Sequence, residues 1–216
     1  MGIIKIMDQE REKNLNRPKR NNAVVNGLFK KNAILVSGMV IAPVVFFDNT
    51  FYNGLTLALI FSLITFFTLI ISSFIPQKIV YTIRIILYTL IASVVYIPII
   101  KFLNEVIPQQ ITEMGIFVPL LITNSFIISK SEIILFKEKR TKMFADLFFG
   151  IIGYDLIVIL YGAVRELIST GQIAGQTLGM PVLFEPMSAS FGGFILLGLS
   201  AALFRFILLI VRSVEN

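Results

Sequence analysis

Ala33-Ile-Leu-Val-Ser-Gly-Met-Val-Ile-Ala-Pro43-Val-Val-Phe-Phe47 and Met114-Gly-Ile-Phe-Val-Pro119-Leu-Leu-Ile-Thr-Asn-Ser-Phe-Ile-Ile128 stand at matching places in the two halves of the chain. Each is an apolar run of about 15 residues with a proline inside it, shorter than the roughly 20 residues a helical bilayer crossing needs. Each is followed by two longer apolar spans. Paired short, interrupted segments are the sequence mark of an inverted-repeat membrane protein with its site near the midplane.

Working outward, six apolar spans emerge, at 33–47, 54–75, 79–100, 114–129, 144–168 and 190–211. The chain is 56% hydrophobic and 15% charged, against about 25% charged for a soluble domain. The apolar residues fall in runs nearly free of charge, so the expected fold class is an all-α integral membrane protein. The expected architecture is six transmembrane helices in a 3+3 inverted repeat, with short interrupted first and fourth spans. Ordinary tilted or kinked helices are the alternative, because proline is tolerated in membrane helices.

Lys and Arg alternate between the loops. Lys5, Arg11, Lys13, Arg17, Lys19, Arg20, Lys30 and Lys31 precede the first span, whereas Asp48–Asn53 carries neither type. Lys78 marks the next turn, and the connection from Phe102 to Glu113 has only acids. Lys130, Lys137, Lys139, Arg140 and Lys142 then follow, residues 169–189 have none, and Arg212 closes the pattern. Read by the positive-inside rule, both termini lie in the cytoplasm of a cell whose cytoplasmic membrane holds the protein. Residues 1–26 read as a basic cytoplasmic tail, disordered or loosely interfacial, and 27–216 as the membrane domain. The tail suits anionic lipid rather than nucleic acid. The first 32 residues are polar, and no cleaved leader is expected.

The chain has no cysteine and no histidine. Thiolate metal sites, thiol nucleophiles and imidazole proton switches are therefore excluded for this chain. No dinucleotide fingerprint, P-loop or catalytic triad is present. The remaining candidates are polar groups inside spans. Asp155 lies 12 residues from Met143, about 18 Å along a helix and near the bilayer centre. An intramembrane carboxylate there carries a proton or binds Na⁺ with Tyr154 or Tyr161, or else it is a structural acid. Glu166 shares a helix face with Asp155 and Gly162 and extends that ion path outward; alternatively, Arg165 and Glu166 form a helix-end anchor or a partner contact. Thr123, Asn124 and Ser125 form a polar cluster that lines a path or hydrogen-bonds between helices.

Gly115-Ile-Phe-Val-Pro119-Leu-Leu-Ile-Thr-Asn-Ser-Phe-Ile-Ile128 resembles the fourth span of the Rnf/Nqr membrane-subunit family, whose pattern is close to G-I-[FY]-[IL]-P-L-I-x-x-N-C. Asn26-Gly-Leu-Phe-Lys-Lys-Asn32 with Pro43, Ala163-Val-Arg-Glu-Leu-Ile168 with Thr170-Gly171, and Gly192, Gly193 and Gly198 are similar to other parts of the family in the same order. The likeness spans 26–212 and is nearest to the Rnf E or Nqr D branch. It implies a membrane subunit of a Na⁺- or H⁺-translocating electron transport complex. It also implies pairing with an opposite-topology paralogue, the two subunits sharing a [2Fe–2S] cluster held by two cysteines from each. The matching positions here are Ala42 and Ser125, and neither is a cysteine. The chain alone is thus expected to bind no cofactor, with flavin or iron–sulfur centres left to partner subunits. The competing readings are a six-span substrate-binding subunit of a vitamin uptake transporter and an assembly scaffold.

Overall fold

A computed structural model describes residues 40–76, 78–123, 125–129, 131, 140–177 and 179–214. The tail at 1–26, residues 27–39 and the basic stretch at 132–139 lie outside the described residues. In chain order the elements are α1 (Ile41–Phe47), α2 (Phe51–Ser72), α3 (Tyr81–Val106), α4 (Pro108–Met114) and α5 (Phe117–Leu120). They continue with α6 (Arg140–Thr170), a two-stranded antiparallel hairpin of β1 (Gln172–Ile173) and β2 (Gln176–Thr177), a 3₁₀ turn at Glu185–Ser188, and α7 (Ser190–Val214).

Four helices among the described residues are long and apolar enough to cross a membrane: α2, α3, the Phe144–Thr170 part of α6, and α7 through Ile207. A chain this apolar has only its own backbone acceptors for its N–H groups in hydrocarbon, which is why the long runs are helical. The segments expected as spans one and four are not among the four. The described part of the first is a seven-residue helix. The expected fourth, 114–129, is set off by a break at its start: Pro108–Met114, in the connection expected before it, and Phe117–Ser129 meet at 75°. The break falls at Gly115, whose φ of 47° is costly for a residue with a Cβ and free for glycine. The expected third span also runs longer, through Lys101 and Glu105 to Val106, and accommodates Pro98 inside the helix.

Pro43 and Pro119 do not kink long spans. Each is the third residue of a short helix, α1 and α5 respectively. Proline is tolerated in a first helical turn because the N–H it lacks would have no acceptor there. The two short helices pack on each other, with Phe46 of α1 stacked on Phe117 of α5 at 5.4 Å between ring centroids.

The core is the contact between α2 and α6. Phe61 of α2 stacks on Tyr154 of α6, with centroids 3.8 Å apart, and meets Phe126 edge-on. Leu57, Ile60, Ile64, Ile151 and Val158 complete this buried layer. By contrast α3 and α7 bury little of their surface, and expose Ile86, Leu90, Val94 and Ile97 on one and Phe194, Leu199, Leu203 and Phe206 on the other. Such faces suit lipid tails or a partner helix.

Candidate functional site

Two polar assemblies sit on α6. The first is at its C-terminal end. Arg165 is fully buried, and its five N–H groups are all used. Nη1 donates to the carbonyls of Val45 (2.7 Å) and Asp48 (3.0 Å) at the end of α1. Nε donates to Met187 (2.8 Å), and Nη2 to Ser188 (3.0 Å) and Ala189 (2.8 Å), just before α7. The Val45, Asp48, Met187 and Ser188 carbonyls lie at the ends of α1 and of the 3₁₀ turn, where a cation is favoured, while the Ala189 carbonyl also accepts the Gly193 amide of α7. One side chain thereby fixes the short helix α1, the 3₁₀ turn and the start of α7. Tyr161, one turn earlier, donates its hydroxyl to the Gly193 carbonyl in α7.

Glu166 points elsewhere. Its Oε2 accepts from the Phe51 amide at 2.9 Å, the first residue of α2, and from Ala174 at 3.2 Å, while Oε1 accepts from Gly175 at 3.1 Å. A carboxylate at a helix N-terminus is stabilised by the free amides there. The other two amides belong to the hairpin turn, where Ala174 and Gly175 both have positive φ. Arg165 and Glu166 thus tie distant backbone segments to the end of α6, which is the anchor geometry.

Asp48 lies in the turn between α1 and α2 and is buried with neither carboxylate oxygen hydrogen-bonded. Its Oδ1 sits between Gly54 of α2 and Gly162 of α6: a Cβ built on Gly54 would lie 2.7 Å from it, and one on Gly162 would strike it as well. Burial raises the Asp48 carboxyl well above the usual aspartate range, with the nearby charge of Arg165 pulling the other way. No reading of the sequence singled this residue out. The available signal was an acid directly after an apolar run and six residues before Gly54.

The second assembly is deeper. Asp155 is half-buried on α6, and its Oδ2 accepts a hydrogen bond from the Ser62 hydroxyl of α2, while Oδ1 is buried without a partner. Tyr154 is fully buried and its hydroxyl is also unpartnered. The two expected path residues Asp155 and Tyr154 are therefore together on the α2–α6 interface, and Glu166 is about 16 Å further along the helix by its rise.

The polar cluster expected in the fourth segment is open. Thr123 and Ser125 are exposed, the Thr123 hydroxyl makes only a long contact to the Leu120 carbonyl at 3.5 Å, and Asn124 lies outside the described residues. Ala42 is exposed on α1. An iron–sulfur cluster does not fit these residues: alanine offers no ligand atom, serine offers a hydroxyl in place of a thiolate, and the chain contains no cysteine. Among the described residues no group of acids converges as a metal site.

Four helices long and apolar enough to cross a membrane, two short helices packed together and polar side chains buried between the long ones mark a helical membrane protein. The model of the Rnf-Nqr subunit family, described as a membrane protein, matches residues 21–211, and the chain belongs to that family. It is 30% identical over 164 residues, 76% of this chain and 70% of the relative, to the E subunit of the ion-translocating oxidoreductase complex of Haemophilus ducreyi. It is 29% identical to the corresponding E subunit of Buchnera aphidicola subsp. Acyrthosiphon pisum (strain 5A), covering 86% of this chain and 88% of that protein. It is also 26% identical to the D subunit of the Na(+)-translocating NADH-quinone reductase of Yersinia enterocolitica, covering 70% and 72% respectively.

Proposed function

We propose that this chain is a membrane subunit of an ion-translocating electron transport complex, that it holds no redox centre of its own, and that ions pass along its α2–α6 interface. The carrying observation is Asp155, a carboxylate inside a crossing helix, held by Ser62 and with one oxygen free. Such a group is expensive in hydrocarbon and marks ion and proton paths. Tyr154 lies beside it in the same buried layer, and Glu166 anchors the outer end of the same helix. Family membership favours this reading over a vitamin uptake subunit.

The repeat belongs to the same proposal. Pro43 and Pro119 occupy the same position in two short helices that touch, which supports a 3+3 inverted arrangement of six membrane segments. The exposed Ala42 and Ser125 mark a face suited to a second subunit of opposite topology, with flavin or iron–sulfur centres carried by partners. The basic-loop pattern supports a bacterial cytoplasmic membrane with both termini inside.

The test is to purify the intact complex from native membranes by a tag on this chain, identify its subunits and cofactors, and measure ion uptake after reconstitution. Redox subunits should co-purify, and Asp155→Asn should abolish uptake while the complex assembles. Co-purification with a transporter ATPase, or normal uptake by the assembled variant, would overturn the proposal.

A further inference from the structure

The α2–α6 interface contains more buried polarity than Asp155 explains. Thr65, Thr68 and Ser72 of α2 are each fully buried, and none of their hydroxyls has a hydrogen-bond partner. Helical hydroxyls ordinarily turn back onto the carbonyl of the preceding turn. Thr56 does so on this same helix, reaching the Tyr52 carbonyl at 2.9 Å, and Thr89, Ser93 and Thr112 do so on α3 and α4. On α2, Thr65, Thr68 and Ser72 do not, and all three are sealed inside the protein; among the described residues Ser131 is a further buried hydroxyl without a partner. A buried polar group left unpaired is costly, so three in a row require a partner.

Their spacing shows what partner suits them. Thr65, Thr68 and Ser72 follow Phe61 at i+4, i+7 and i+11, and so continue the helix face that packs on Tyr154 and Phe126. They follow Ser62, the Asp155 donor, at i+3, i+6 and i+10. Together they make a line about 15 Å long, half of a hydrocarbon core of about 30 Å. It begins at Ser62, which donates to Oδ2 of Asp155, and ends at Ser72, the last residue of α2, beside the half-exposed Ser73 and the exposed Phe74.

We propose that Ser62, Thr65, Thr68 and Ser72 form a hydrated proton-access lane from the Ser72 end of α2 to Asp155; this rests on the reading of Asp155 as an ion-path residue. A dehydrated metal cation needs several oxygens converging on one point, whereas these are strung out about one turn apart. Single waters between them satisfy hydroxyls as donors and acceptors alike and make a continuous hydrogen-bonded chain. The proton comes from bulk water at the Ser72 end and ends on Oδ1 of Asp155, the oxygen that the Ser62 hydroxyl leaves free. The carboxylate becomes a neutral acid, no electron moves, and the charge that hydrocarbon penalises is removed.

The experiment uses the whole complex in sealed vesicles, with proton and ²²Na⁺ uptake measured in parallel and subunit content checked by blotting. Thr68→Val, nearly isosteric, should lower proton uptake by about tenfold or more. Thr68→Ser should restore it, and Thr56→Val should leave it unchanged. Hydroxyl-radical footprinting of the unmodified complex should label Phe61 and Tyr154, whose neighbours would be internal waters. Normal proton uptake by both Thr65→Val and Thr68→Val, with uptake lost in Asp155→Asn, would overturn the lane and leave the reading of Asp155 standing. Normal uptake in Asp155→Asn would remove both. Na⁺ uptake without proton uptake in the unmodified complex would overturn the proton assignment. Should Thr68→Val fail to assemble, Ser72→Ala at the lane's end provides the same comparison.

Discussion

The guanidinium of Arg165 donates to the backbone carbonyl of Asp48 at 3.0 Å, and the Asp48 carboxylate has no hydrogen bond at all. The buried cation of this protein is solvated by five carbonyls, and the buried acid beside it interacts with it through space. Charge and hydrogen bonding at the C-terminal end of α6 are thus assigned to different atoms.

Arg165→Lys therefore separates the two. Lysine keeps the charge but has three donors on one nitrogen, which cannot reach carbonyls at the ends of α1 and of the 3₁₀ turn together. We expect a loss on the order of 3–5 kcal/mol, as for breaking a buried charged assembly. It should appear as a lower melting temperature of the solubilised protein and easier proteolysis before α7. Unchanged melting would show that the carbonyls find other partners.

Asp48 sets a pH dependence. Its folded-state pKa is raised, so the folded protein holds this proton more tightly than the unfolded chain does. Stability from this site is then greatest below the unfolded value of about 3.9 and declines as pH rises toward the folded value. Asp48→Asn should flatten that decline in a series of melting curves. A series with the same slope in both proteins would place the titration elsewhere.

Gly162→Ala tests the cradle around that acid. The new Cβ would lie 2.6 Å from the Thr50 carbonyl and against Asp48 Oδ1. Backbone cannot yield as a flexible side chain does, so a cost of roughly 1–3 kcal/mol is expected. Gly198→Ala, whose Cβ would meet nothing within 4 Å, should be neutral or slightly stabilising. Thermal shifts of the two variants side by side decide the matter.

Glu166→Gln keeps the shape but replaces one acceptor oxygen by a donor facing a backbone N–H. The loss should be about 1–3 kcal/mol, with faster cleavage by protease at the 172–177 hairpin. If the variant instead resists protease and blocks ion uptake, Glu166 acts as a path residue and its anchoring role is secondary.

A tag at either terminus should be reachable only from the cytoplasmic side of intact cells. An external C-terminus would overturn the orientation read from the basic loops and would reverse which membrane face the Ser72 end of the hydroxyl line approaches.

Much of this was legible in the residues. The long apolar runs foretold a mostly helical membrane protein, because hydropathy acts locally. Asp155 stood out because a carboxylate in such a run is rare. The roles of Arg165 and Glu166 were less legible: a charged pair at a helix end looks the same whether it faces solvent, a partner or the protein's own backbone. The line of Thr65, Thr68 and Ser72 had readable spacing, but small hydroxyls on membrane helices usually bond to their own backbone, and only burial without a partner distinguishes these three.

The sequence by itself determined the solvent this chain is built for, the helical character of its long apolar runs and the lack of any thiolate ligand, since each follows from side-chain types along a single line. Tertiary structure alone decided that Arg165 reaches Val45, 120 residues earlier, and Ala189, 24 residues later, and that Glu166 caps α2 from 115 residues away. It also decided that Asp48 lies between two glycines of different helices. Those partners are main-chain groups, which every residue carries, so no choice of residue type announces them; only the packing of α1, α2 and α7 around the end of α6 brings them within hydrogen-bonding distance.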